Sequence, residues 1–230
     1  MTTQAPEESK PHRKRAACLA FTDHIERLCR NDPGARAALR AGLRRDLDHP
    51  RARDMHRLLT PLLRDGCDDR TAQAHYTVAS LIAAQPRHAF VADQDEDEDE
   101  GAEEAPGPAQ KQTSREDGER GEGNTPPKTA PYGTSYGTSF GTALGHAVTG
   151  KGTSMRLSAA ESSINRLTRQ SIRGIHLHLP AAVNQVRTTG TVIDWGRLLA
   201  DLVDWPYRSG RISRHWLQDF YRITARIDQD

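Results

Sequence analysis

The stretch Ile193-Asp-Trp-Gly-Arg-Leu-Leu-Ala-Asp-Leu-Val-Asp-Trp205, followed by Arg208-Ser-Gly-Arg-Ile-Ser-Arg-His-Trp-Leu-Gln-Asp-Phe-Tyr221, decides the fold class. Trp195, Leu198, Leu199, Leu202 and Val203 recur at i, i+3, i+4, i+7 and i+8, the spacing that gathers apolar groups on one helical face, and Asp194 stands at the N-cap. Pro206 is expected to end this helix. Ser209 then opens a second, with Ile212, Trp216, Phe220 and Ile223 inward and Arg211, Arg214, Arg222 and Arg226 on the wet side.

Working outward, the same period recurs along the chain. Cys18, Phe21, Ile25 and Leu28 predict a helix over 13–30, broken by Asn31-Asp-Pro-Gly34. A second is expected over 33–45, with Pro33 in its first turn and Arg36, Arg40 and Arg44 four residues apart. A third, over 52–64, carries Met55, Leu58, Leu59, Leu62 and Leu63 in phase and Pro61 as a kink. The fourth, 71–84, is apolar on most sides from Tyr76 onward, which suits the centre of a bundle. Ser139 starts a helix after a four-residue repeat that begins at Tyr132. Ser158-Ala-Ala-Glu161 reads as a capping box, with Ile164 and Leu167 inside and Arg166, Arg169 and Arg173 opposite. Gly174 and Pro180 predict a break, then a helix over 181–187, and Thr188-Thr-Gly190 turns into the final pair. No segment alternates with period two, so the class is all-α: two small helical bundles, 13–92 and 139–230, after a disordered N-terminus at 1–12.

Between the bundles lies a long acidic linker, 93–138, whose composition predicts disorder. Residues 93–126 hold 13 Asp and Glu against 3 Lys and Arg, whereas 1–92 are net +5 and 127–230 net +6. The total of +1 conceals two basic regions flanking an acidic one. Arg outnumbers Lys 27 to 5. That favours forked phosphate contacts, although a GC-rich genome gives the same bias. Three scattered cysteines, Cys18, Cys29 and Cys67, with no Cys-x-x-Cys spacing, fit a reducing, cytoplasmic setting. The apolar run after Lys10–Arg15 is too short for a signal peptide, and none approaches a membrane span.

Three groups of residues together resemble a known family. The C-terminal run quoted above, the order of Gly34–Arg45, Met55–Leu59 and His75–Ala84, and Ser139-Phe-Gly-Thr-Ala-Leu144 are similar to the CasB family, the small subunit of the type I-E CRISPR surveillance complex Cascade. The resemblance covers roughly 14–90 and 139–227. It implies a non-catalytic helical subunit present as a pair. Its implied contacts are the backbone-forming and large subunits of the complex, the crRNA–target DNA heteroduplex and the displaced strand, and its implied role is R-loop stabilisation in antiviral defence. There base pairing reads the sequence and protein holds the backbones. Arg166 and Arg169 match basic positions of the family, Ser162 and Ser163 stand where more basic residues are expected, and the acidic insert departs from its pattern.

The residues themselves offer little catalytic chemistry. No phosphate loop, nucleophile elbow or paired carboxylates appear, so no catalytic residue and no cofactor is assigned. His176-Leu-His178 lacks metal-ligand spacing and is read as ordinary surface or core histidine. Four basic stripes remain as candidate nucleic-acid contacts: Arg36, Arg40, Arg44 and Arg45; Arg53 and Arg57; Arg166, Arg169 and Arg173; Arg211, Arg214, Arg222 and Arg226. Each alone is also what a solvated helix face looks like. Tracking phosphates needs repeated cations without base-reading geometry, and with Trp195, Trp205, Trp216 and Phe220 required in the core, charge is expected to supply the affinity. Two other functions fit the same residues: a free-standing helix-turn-helix regulator using 194–223, and a helical adaptor binding a protein through Arg–carboxylate pairs.

Overall fold

The computed structural model describes residues 10–86, 137–150 and 154–225, and among them every regular element is helical. Residues 1–9, all of the acidic linker but its last two residues, and Arg226 lie outside the described residues. Eight α-helices follow in order among those described: α1 Lys10–Asn31, α2 Pro33–Ala41, α3 Arg53–Leu59, α4 Asp69–Ala83, α5 Phe140–Thr149, α6 Leu157–Thr168, α7 Ile172–Arg187 and α8 Trp195–Thr224. The all-α class read from periodicity holds.

Local chemistry sets most of the boundaries. The Asp32 carboxylate accepts from the Ala35 amide at 2.9 Å and Pro33 follows it, so α2 starts where expected. It ends at Ala41 rather than 45, because the chain turns at Gly42 and Arg44 adopts a left-handed φ of 61°. Pro61 tightens the expected third helix into a 3-10 turn at Thr60–Leu62. The change of period leaves Leu62 37% exposed, out of the stripe that buries Met55 and Leu59. Asp68 caps α4 by accepting from the Arg70 and Thr71 amides, and with the Thr71 hydroxyl these bonds hold its carboxyl below the usual range. Ser139 caps α5 as anticipated, accepting from the Thr142 amide at 3.2 Å.

Two expectations about the C-terminal half are corrected. The capping box at Ser158 does not form: α6 begins at Leu157 after Arg156, which gives no side-chain cap. No break occurs at Gly174 or Pro180, for α7 runs unbroken across both. Pro180 forfeits a backbone bond, at a cost of order 3 kcal/mol, but Ile175, His176, Leu179, Ala182, Val183 and Val186 bury one face on either side of it. The final pair forms as expected, two helices that run on from one another within α8. The division falls at Arg208 (φ −136°, ψ 21°), two residues beyond Pro206 and just before Ser209, so the two expected helices meet at a sharp kink where the sequence placed their junction.

α8 organises the core. It packs against α1 and α4 from the first half and α5 and α6 from the second, and the buried side chains of both halves form one contiguous cluster. Trp205 and Trp216 lie in it with ring centroids 5.3 Å apart, and Phe140 of α5 sits 5.4 Å from Trp216. Trp216 Nε1 donates to the buried Asp201 carboxylate at 2.8 Å, and Arg197 donates to the same group at 3.0 Å. Burial pushes the Asp201 pKa up, and Arg197 and the Trp216 N–H oppose that shift. The Lys14–Asp204 ion pair and the bond between Thr77 Oγ1 and His176 Nδ1, 3.0 Å, add polar ties across the halves.

The α5–α8 crossing depends on Gly141. A Cβ there would collide with the Trp216 carbonyl oxygen and stand 2.6 Å from its carbonyl carbon, and backbone cannot swing aside. Gly141→Ala is therefore expected to force the two helices apart and destabilise by about 1–3 kcal/mol, lowering the melting temperature by roughly 2–4 °C per kcal/mol. A wild-type melt from this variant would show that α5 does not press on α8 there.

Candidate nucleic-acid interface

Twelve of the thirteen candidate arginines lie among the described residues, and the fold sorts these into those that face water and those that do not. Arg40, Arg44, Arg45, Arg53, Arg57, Arg166, Arg169, Arg173, Arg211, Arg214 and Arg222 are exposed. Arg36 does not stand with them: half-buried, its Nε donates to the Ala83 carbonyl at 3.1 Å and its Nη2 to the Gln85 carbonyl. It satisfies carbonyls at the C-terminal end of α4, where a cation also complements the helix dipole. Four-residue spacing with Arg40 could not reveal this, since the acceptors lie 47 and 49 residues away.

Two stripes from opposite halves come together. Arg173 Nη2 lies 3.0 Å from Asp46 Oδ2, both side chains well exposed, so the first turn of α7 stands beside the loop carrying Arg44 and Arg45. Such a pair adds little stability, but it fixes the neighbourhood. The loop is held from below. Gln73 of α4 donates to the Arg45 carbonyl at 3.0 Å and accepts from the Leu47 amide at 3.2 Å, while His56 bonds the Leu47 carbonyl at 3.1 Å and the Tyr76 hydroxyl at 2.8 Å. Arg44 and Arg45 thus project from a pinned backbone, which lowers the ordering cost of a phosphate contact.

One cation at this seam escaped the sequence reading. Arg70, exposed in the first turn of α4, lines a shallow cleft together with Gln170 and Ser171 of the α6–α7 turn and Pro206 and Ser209 of the α8 kink. A usable signal was present: an arginine in a first helical turn gains nothing from the dipole, so its place asks for another reason. The loop carrying Arg44 and Arg45 reaches α7 through the Asp46–Arg173 pair, and Arg70 of α4 reaches the α6–α7 turn just before it, so exposed arginines from both halves stand about that turn. The carboxylate of Asp46 offsets part of that charge.

Other candidates separate. His176 enters the core of the seam, where burial pushes its imidazole down to about 4 with Asp46 opposing, while His178 lies half-buried elsewhere on α7. Burial raises the Cys18 and Cys29 thiols to about 11, so neither is an activated nucleophile. Among the described residues no group of three or more His, Cys, Asp or Glu is arranged to hold a metal ion, and no helix is long and apolar enough to cross a membrane. A helix-turn-helix requires a turn of about three to four residues between its helices, whereas 195–224 contain the single non-helical Arg208.

The family described as CRISPR-associated protein Cse2 matches residues 35–221. Among solved structures, a chain of a "CRISPR RNA-guided surveillance complex, pre-nicking" is 26% identical, with a TM-score of 0.68, over 94% of this chain and 97% of that one. A chain of a "CRISPR RNA-guided surveillance complex" gives 26% identity and a TM-score of 0.67 over 94% and 98%. No curated protein sequence matches.

Proposed function

Because the chain belongs to the family of the CRISPR-associated protein Cse2, we propose that it is the small helical subunit of a CRISPR RNA-guided surveillance complex of type I-E, binding nucleic acid without regard to sequence. In this role it has no active site. It steadies the guide–target heteroduplex and the displaced strand while base pairing supplies specificity. The backbone-forming and large subunits of the complex and a second copy of this chain are its protein partners, as the family resemblance implies. The observation that supports the nucleic-acid part is the Arg173–Asp46 pair, which brings the first turn of α7 beside the loop carrying the exposed Arg44 and Arg45.

The test is salt dependence. Replacing Arg166, Arg169 and Arg173 together by Ala should weaken binding equally for unrelated sequences, and if all three touch duplex phosphates the salt slope falls by up to about 2.7, at ~0.9 per contact. Binding isotherms at several salt concentrations, with two unrelated duplexes, measure both quantities. A marked preference for one duplex, or an unaltered slope, would overturn the reading.

A further inference from the structure

Beyond its kink, α8 presents an exposed row that phosphate contacts alone do not explain. Ile212, Ser213, Trp216, Phe220 and Thr224 are buried, which fixes the opposite face of the helix. On that face Arg211, Arg214, Gln218, Tyr221 and Arg222 recur at i, i+3, i+7, i+10 and i+11, and all five are exposed. This face sets a phenol in line with its arginines. Tyr221 is 43% exposed. Its other edge packs against the fully buried Phe220 ring, centroids 5.1 Å apart at 70°, so the ring is held on one side and open on the other.

Such a ring is ordered before any ligand arrives. The rise of a helix places Arg214 about 10 Å and Arg211 about 15 Å from Tyr221 along the axis, a row of cations in line with the ring. Arg222 sits beside it, bonded to Asp219 at 3.0 Å. Asp219 in turn accepts from Ser139, the cap of α5, which anchors this end of the row to a second helix. Tyr207 is more exposed, at 71%, but precedes the kink and stands outside the row.

We propose that this face binds a single nucleic-acid strand, with Tyr221 stacking on an unpaired base and Arg211, Arg214 and Arg222 meeting phosphates. The proposal rests on the nucleic-acid reading above and divides its labour: the seam arginines hold backbones of any form, and the α8 row selects strands whose bases are free. In a duplex the base faces are already stacked on one another, so the ring has nothing to meet. A stacked base contributes enough on an aromatic platform, about 1–3 kcal/mol, to make the selection measurable.

The experiment uses the full chain and a dye-labelled mixed-sequence strand of about 20 nucleotides, free or annealed to its complement, followed by fluorescence anisotropy at several salt concentrations. Tyr221→Ala should weaken single-strand binding about 5- to 100-fold, leave duplex binding within about twofold and leave the salt slope unchanged. Tyr221→Phe should bind as wild type, since only the hydroxyl is lost. Tyr221→Leu keeps an apolar cover on Phe220 and should nevertheless lose single-strand affinity, which separates stacking from folding. Wild-type affinity for single strands in Tyr221→Ala and Tyr221→Leu would overturn the stacking role alone, as would a Tyr221→Phe variant as weak as Tyr221→Ala. Loss of association with partner subunits at unchanged single-strand affinity would make the face a protein contact and overturn it too. If the wild-type chain binds neither form, the nucleic-acid reading itself fails, and this inference with it.

Discussion

Trp216→Ala should remove about 3–5 kcal/mol of stability, a large share of the ~5–15 kcal/mol that holds a domain together, and collapse the cooperative melt. Two losses combine. The indole is fully buried between Trp205 and Phe140, and the surrounding helices, pinned at Gly141 against the Trp216 backbone, have little room to close the cavity. Its N–H is also one of the donors that keep the buried Asp201 satisfied, and deleting it leaves that carboxylate with Arg197. Trp216→Phe separates the two, keeping most of the ring and losing the N–H. Its expected cost is the smaller part, about 1–3 kcal/mol. Denaturant titration of both variants, followed by circular dichroism, reads the difference, and a wild-type midpoint for Trp216→Ala would refute the packing described.

The second large effect is a pH dependence seated at the junction of the two halves. His176 bonds Thr77 through Nδ1, while its buried Nε2 has no partner. Burial pushes the imidazole down from 6.5 to about 4. The unfolded chain therefore takes up a proton near pH 6.5, and the folded one does not until about pH 4. Its contribution is complete above pH 6.5, is lost as pH falls through that window, and changes no further below it, a total of roughly 3 kcal/mol. His75 acts in the same direction, its pKa lowered by burial beside Phe21. His176→Asn can keep a bond to Thr77 without titrating. Its stability should fall less than wild type between pH 7.5 and 4.5, by about the same 3 kcal/mol, and parallel pH profiles would show that His176 is hydrated in the folded state.

What the sequence disclosed divides along a physical line. Periodicity says which face of a helix is buried, so the stripes through Cys18, Met55, Ile164 and Trp216 were legible, as were the helix start at Ser139 and the cap at Asp194. Periodicity does not say what covers the face, so nothing in the pattern joined α8 to α1 and α4 in one core. Propensity misled where packing overruled it, at Pro180, and where the chain needed no side-chain cap, at Arg156. At the candidate site, exposure of most arginines followed from helix phase. The diversion of Arg36 to the end of α4, the arrival of Arg70 at the seam and the descent of His176 into the core depend on partners far along the chain.

The span of α8 has a consequence in time. Lys14 and Asp204 meet across 190 residues, and Leu19 of α1 presses on Gly196. A chain made from its N-terminus at about 5–20 residues per second can pack its first helix on α2 and α4 early, but keeps the part that meets α8 uncovered for on the order of 10 to 40 s, until the residues of α8 have left the ribosome. The earlier helices can coil meanwhile, because their bonds are local, but the contacts that close the core are among the most distant the molecule makes and must wait. Assembly into a larger complex begins from a subunit whose own completion is a late event of its synthesis.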